Sequence, residues 1–135
     1  MKGREMMWKD AIEMREAVAC GAVSPKELVQ ETIDKIEQRN PSLNAVVHLQ
    51  AERALEEAEK RSFEGLPFGG VPLLLKDLGQ HQAGEPSSAG SKLLKGIPVN
   101  RTDNFVKRLE AAGFIIVGRT NTPEFGFKNM TEPQL

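Results

Sequence analysis

The sequence predicts an α/β fold, with N-terminal helices followed by the first strands of a mixed, largely parallel sheet covered by helices. Three observations carry this. The two best strands, "VPLLL" (71–75) and "FIIV" (114–117), are continuously apolar instead of alternating, which is how strands covered on both faces read. They are linked through a helix, as parallel strands usually are. Two capped amphipathic segments precede both of them. Strands of this kind need neighbours on either side, and after Val117 the chain supplies little beyond the loop "GRTNTPEFGFKNMTEPQL", so the sheet is expected to be incomplete within these residues.

The first segment carries Trp8, Ala11, Ile12, Val18 and Ala19 at helical spacing and is expected to end at Gly21, where a left-handed residue is wanted. The second, "SPKELVQETIDKIEQRNP", opens with Ser24 as N-cap, Pro25 at the first helical position and Glu27 completing a capping box. Its Leu28, Val29, Thr32, Ile33 and Ile36 share one face, and the helix is expected to stop before Asn40-Pro41. "LNAVVHL" then reads as a short strand, and "QAERALEEAEKRS" as a helix with Ala51, Ala54, Leu55 and Ala58 on its apolar face. From Gly65 to about residue 100 the chain is rich in Gly and Pro, with "VPLLLK" as its strand. A last helix places Phe105, Val106, Leu109 and Ala112 on one face and is capped by Gly113, ahead of the strand Phe114 to Val117. Residues 1–64 are thus mainly helical, residues 65–135 supply strands and loops of the core sheet, and the whole is expected to be part of one domain.

Composition removes several function classes. The chain has 39% hydrophobic and 27% charged residues and a formal net charge of -1, which gives no electrostatic reason to expect nucleic acid or anionic lipid as a partner. Cys20 is the single cysteine, so no internal disulfide can form and a reducing, cytoplasmic setting is expected. Lys2 and Arg4 precede a stretch, "EMMWKDAIEMREA", that is charged throughout and lacks the apolar run of a secretory signal. Nothing approaches the ~18 apolar residues of a membrane span.

Lys76 stands out, because it puts an ammonium group at the end of the most continuous apolar run in the chain. One reading lets its stem lie along apolar surface while the charge reaches water or an acid such as Asp77. The other uses the cost of desolvating the charged form to leave a neutral amine as general base, which then needs a hydroxyl to act on. "AGEPSSAGSKLLKG" offers Ser87, Ser88 and Ser91, but reads chiefly as a turn-forming loop. It is not a phosphate loop: five residues separate Gly84 from Gly90, Ser91 intervenes before Lys92, and Pro86 removes a backbone donor. His48, His81 and Cys20 are too scattered for a metal site; the histidines are expected to be hydrogen-bonded or exposed, and Cys20 to be a small buried or half-buried thiol. No cofactor is implied.

"FGGVPLLLKDLG" followed by "GSKLLKGIPVNRTDNFVKRLEAAGFIIVGRTNTPEFGF" closely resembles the N-terminal part of the amidase signature family, from about Asp10 onward. Two leading helices, the Gly-Val-Pro-to-Lys-Asp strand, a Gly-Ser turn, a helix, and the Gly-x-x-x-x-Gly-x-Thr-Asn-x-x-Glu-Phe segment of Gly113 to Phe125 occur in the family's order. The resemblance implies a hydrolase of carbon–nitrogen amide bonds in small amides, with Lys76 as the lysine of a Ser-Ser-Lys triad. In such enzymes the lysine is the base, a serine with a cis peptide bond relays the proton, and a second serine attacks the carbonyl to give an acyl-enzyme.

Both family serines lie in a Gly/Ser-rich signature some tens of residues beyond the Thr-Asn-x-x-Glu-Phe segment, so the role passes to none of Ser87, Ser88 or Ser91. Lys76 is then the one triad member present, in a 135-residue chain that reads as an N-terminal piece of an amidase and is expected to be inactive alone. The resemblance equally allows an amidotransferase subunit that generates ammonia for aminoacyl-tRNA. An inactive interaction module, self-associating through exposed apolar surface, is a reading of another class. By itself the chain is expected to hold Lys76 partly exposed.

Overall fold

A computed structural model describes residues 7–133. Helix α1 (Ala11–Ala19) is opened by Asp10, whose carboxylate accepts the N–H groups of Ile12 at 3.0 Å and Glu13 at 2.9 Å. It buries no residue: Trp8, Ala11 and Val18 are half-buried and Ile12 is 52% exposed, so the expected apolar face is only partly covered. The reading of Lys2 and Arg4 lies outside the described residues.

Helix α2 (Pro25–Leu43) has the full capping box, with Ser24 and Glu27 exchanging side-chain and backbone hydrogen bonds. It buries Leu28, Val29 and Ile33. The expected stop before Asn40-Pro41 is corrected here, because α2 continues through Pro41 to Leu43 and ends at Asn44 in the left-handed conformation. In the last turn a proline removes one helical hydrogen bond and leaves the rest intact. Asn40 is also anchored from outside the helix: its Nδ2 donates to the Val46 carbonyl and its Oδ1 accepts the Val46 N–H, both at 2.8 Å. That pair fixes where strand β1 (Val46–Leu49) begins.

Helix α3 (Ala51–Lys60) buries Ala54 and Ala58, small residues that let it approach α2 and the sheet closely. Strand β2 (Pro72–Lys76), helix α4 (Asn104–Ala111) and strand β3 (Ile115–Thr120) complete the regular elements, with short 3₁₀ turns at Lys92–Leu94 and Glu124–Gly126. The sheet order is β1-β3-β2; β2 and β3 are parallel, joined through α4, and β1 is antiparallel to β3. The sheet is therefore mixed, and its three strands do not close.

The core lies on both faces of β3. Ile115 and Val117 pack with Val29 and Ile33 of α2 and Ala54 and Ala58 of α3, and Ile116 packs with Leu75 of β2 and Val106 of α4. Burying one such aliphatic side chain stabilises by about 1.5–3 kcal/mol. Strand β3 is covered on both faces as its sequence predicts, but β2 is an edge strand with Leu73 and Leu74 half-buried. The predicted strand Phe114 to Val117 is displaced: Phe114 stacks on Phe68 before the strand, which then runs on through Gly118 and Arg119 to Thr120. Phe105 is 54% exposed, because α4 turns Val106 and Leu109 to the sheet and leaves Phe105 at the rim. Among the described residues no helix is long and apolar enough to cross a membrane.

Gly118 is required by β1. A Cβ there would stand 2.3 Å from the His48 carbonyl oxygen, inside the closest approach of any real side chain. Gly118→Ala is expected to cost about 2–3 kcal/mol, since the backbone of β1 or β3 must shift; a urea midpoint no lower than that of Glu52→Ala on the exposed face of α3 would contradict this. Asn40→Ala is expected to cost about 1–3 kcal/mol through the two unsatisfied Val46 groups, and to speed amide exchange at Val46 before it does so at Val29.

Candidate active site

In open α/β sheets, ligands collect beyond the carboxyl ends of the strands. Because β2 and β3 are parallel, their carboxyl ends lie side by side, with Lys76 in register with Thr120. Lys76 is exposed there, and among the described residues its Nζ has no hydrogen-bond or ion-pair partner. Asp77, the acid the sequence offers it, faces inward and is 2% exposed. Its carboxylate accepts the Ser88 N–H at 3.0 Å and the Ser88 hydroxyl, while its own N–H donates to the Thr120 carbonyl at 3.1 Å. The Lys76 ammonium is thus left without the neighbouring carboxylate that a simple surface pair would use.

The backbone of Lys76 is held on both sides. Its N–H donates to Gln80 Oε1 at 2.8 Å, and its carbonyl accepts Arg119 Nη1 at 3.1 Å. Arg119 Nη2 donates to the Gln80 carbonyl at 2.6 Å, which closes the ring. Arg119 is fully buried. Burial pulls its guanidinium below the usual arginine range, against the opposing attraction of Asp77, Glu85 and Asp103. Neither Gln80 nor Arg119 is singled out by the sequence; Arg119 occupies an unspecified position of the Gly113 to Phe125 segment, and its partners lie far away in the chain.

The serine-rich stretch forms turns, as expected, but it is packed and not merely a surface connection: Ser88 and Ser91 are buried and Ser87 is half-buried. Gly90, at φ +71°, lies so close to the 122–124 backbone that a Cβ would come 2.6 Å from the Thr122 carbonyl oxygen. Phe125 N–H donates to the Ala89 carbonyl at 2.7 Å, and both Ala89 and Phe125 have positive φ. The two turns are locked together at the carboxyl end of the sheet. A cavity of about 140 Å³, bordered by His48, Asp77, Ser88 and Lys95, opens beside them.

The histidines are engaged by carboxylates. His48 Nε2 lies 2.8 Å from Glu85 Oε2, and Arg53 donates to the other oxygen at 2.9 Å. Burial pushes the Glu85 carboxyl up, but the hydrogen bonds from His48 and Arg53 outweigh it and hold it below the usual range. His81 contributes both its N–H, at 3.0 Å, and its ring Nδ1, at 2.9 Å, to Asp103, and these bonds lower the Asp103 carboxyl, the backbone one most. Among the described residues no group of three or more His, Cys, Asp or Glu is arranged to hold a metal ion. Cys20, expected to be at least half-buried, is exposed: it caps the end of α1, where its Sγ reaches only the Ala17 carbonyl.

Comparison with known proteins shows which family the chain resembles. The amidase family profile matches residues 27–135. Lipoamidase of Enterococcus faecalis is 44% identical over 125 residues, 93% of this chain and 17% of that protein. The 6-aminohexanoate-cyclic-dimer hydrolase of Paenarthrobacter ureafaciens is 40% identical over 95% of this chain and 26% of its own length. A glutamyl-tRNA(Gln) amidotransferase subunit from Methylacidiphilum infernorum is 37% identical over 89% of this chain and 24% of its own. The chain thus spans about a quarter or less of the length of these curated relatives. A solved 6-aminohexanoate cyclic dimer hydrolase complexed with substrate superposes with a TM-score of 0.87 at 40% identity, covering 94% of this chain and 26% of that one. A bacterial aryl acylamidase of the amidase signature enzymes superposes with a TM-score of 0.85 at 36% identity, covering 93% and 27%. With its mixed sheet, its Lys-Asp strand end and its Thr-Asn-x-x-Glu-Phe turn all falling within that match, the chain belongs to the amidase signature family.

Proposed function

We propose that residues 1–135 act as the lysine-bearing part of a single amidase-signature domain that hydrolyses carbon–nitrogen bonds of small amides, with Lys76 as the base of a Ser-Ser-Lys triad. The observation that carries this reading is the placement of Lys76: its side chain is exposed and, among the described residues, unpartnered at the carboxyl end of a parallel strand pair, on a backbone held at both ends. An amine serves as base when neutral, and burial favours that form. The covering surface and both serines come, on this reading, from family sequence beyond the segment matched here. The base takes the proton of the attacking serine through the relay serine, the serine oxygen bonds to the amide carbon, the amine leaves with a proton, and water releases the acyl group.

Ser88 does not fit the nucleophile's role. Its hydroxyl donates to a buried carboxylate and its N–H to the same group, which holds the side chain in place and leaves it 7% exposed. Ser91 is also buried, and Ser87 precedes the turn. A second reading, an amidotransferase subunit that releases ammonia for aminoacyl-tRNA, is favoured by relatives of that kind 37–38% identical to this chain. Glutamine hydrolysis coupled to transfer onto a charged tRNA would favour that reading, and hydrolysis of simple amides without it the first.

Two measurements test the proposal. When residues 27–135 replace the matching segment of 6-aminohexanoate-cyclic-dimer hydrolase, Lys76→Ala is expected to lower kcat about 10²–10⁴-fold, the usual contribution of a general base; unchanged turnover would remove Lys76 from the chemistry. A serine-directed fluorophosphonate is expected to leave Ser87, Ser88 and Ser91 of the 135-residue chain unlabelled, and labelling of any of them would overturn the assignment.

A further inference from the structure

We propose that Arg119 is a positioning residue for Lys76, holding the backbone from which the base extends. The functional half of this inference rests on the reading of Lys76 as base. The ladder reaches Asp77, whose N–H donates to the Thr120 carbonyl, but the N–H and carbonyl of Lys76 itself take their partners outside it, so the groups that satisfy them also set how the end of β2 and its turn are held. Arg119 places two donors on two carbonyls, Lys76 O at 3.1 Å and Gln80 O at 2.6 Å, and Gln80 returns its side-chain oxygen to the Lys76 N–H at 2.8 Å. The β2 terminus and its turn are therefore one hydrogen-bonded unit, and Arg119 is fixed in turn by its place in β3 between Leu75 of β2 and His48 of β1.

The chemistry of the side chain argues against a role in packing alone. Arg119 is fully buried, its two named acceptors are neutral carbonyls, and its Nε has no partner among the described residues. A buried charge with an unsatisfied donor is costly, and an apolar side chain of similar volume would commonly stabilise a core as well or better. What an apolar residue cannot do is hold two carbonyls at a set separation. Lysine cannot do it either, because its single nitrogen lacks the planar two-pronged geometry of guanidinium. The arrangement is explained if the position of Lys76, and not core stability, is what the arginine supplies.

The test separates this inference from the base assignment. In the 135-residue chain, Arg119→Lys is expected to raise hydrogen exchange of the Lys76 N–H at least about tenfold relative to that of Val29 and Ile33 in α2, a local opening distinct from global unfolding. Unchanged Lys76 exchange, or a rise no greater than that of the α2 amides, would overturn the clamp whatever Lys76 does. In the chimeric hydrolase described above, Arg119→Lys is expected to lower kcat about 10²-fold, the cost of a misplacement of the order of 1 Å, with KM nearly unchanged. In the Lys76→Ala background the same substitution should cost less than about twofold in kcat, because no base remains to be positioned, while lowering Tm by as much as it does when Lys76 is present. An equal kcat loss in both backgrounds would overturn the positioning role. Should Lys76→Ala alone leave turnover intact, the base reading fails, and the exchange measurement still decides whether the clamp exists.

Discussion

Strand β3 is paired along both edges and covered on both faces, and almost every other feature of the molecule is arranged around that constraint. Its apolar half divides the core, with Ile115 and Val117 meeting α2 and α3 while Ile116 meets α4. Its second half has to pass β1 so closely that residue 118 can carry no side chain, and the ladder shifts register on either side of it. Because β2 runs parallel to it, the end of β3 also determines where β2 ends. The lysine at that end takes its position from a strand whose own position is over-determined.

The parts of this fold that are legible in the sequence are those decided within a turn or two of chain. The Ser24–Glu27 capping box, the helical spacing of α1, the alanine stripe of α3 and the apolar runs of β2 and β3 all declare themselves through local hydrogen bonding or spacing. What the sequence does not disclose is settled by distant partners. Helix α2 outlasts its proline because Asn40 is tied to Val46, and β3 outlasts its apolar run because the ladder to β1 and β2 carries Gly118, Arg119 and Thr120 into the sheet. Spacing alone turns Phe105 inward, yet one helical face is wider than the strip of sheet that α4 covers.

The site divides in the same way. Lys76 is conspicuous in sequence because a charge ends an apolar run, but the ring that holds it joins residues 39 and 43 positions apart through Arg119. No spacing rule reaches that far. The pairing of Asp77 with Ser88 is equally hidden, since adjacency to Lys76 makes an ion pair the simpler expectation, and alternation of side chains along the strand end sends the two in different directions.

That separation of Lys76 from Asp77 has a chemical consequence. In general a carboxylate placed beside an amine favours the amine's charged form and works against its use as a base. Turned inward, the Asp77 carboxylate satisfies the backbone and hydroxyl of Ser88 and braces the turn that packs against residues 122–125. A carboxylate is also a far weaker base than a neutral amine, so the Ser88 hydroxyl gains a structural partner and not an activating one. The buried acid and the exposed lysine, neighbours in the chain, thus part company: one fixes the loop, and the other stands at the end of the sheet without a counter-ion among the described residues.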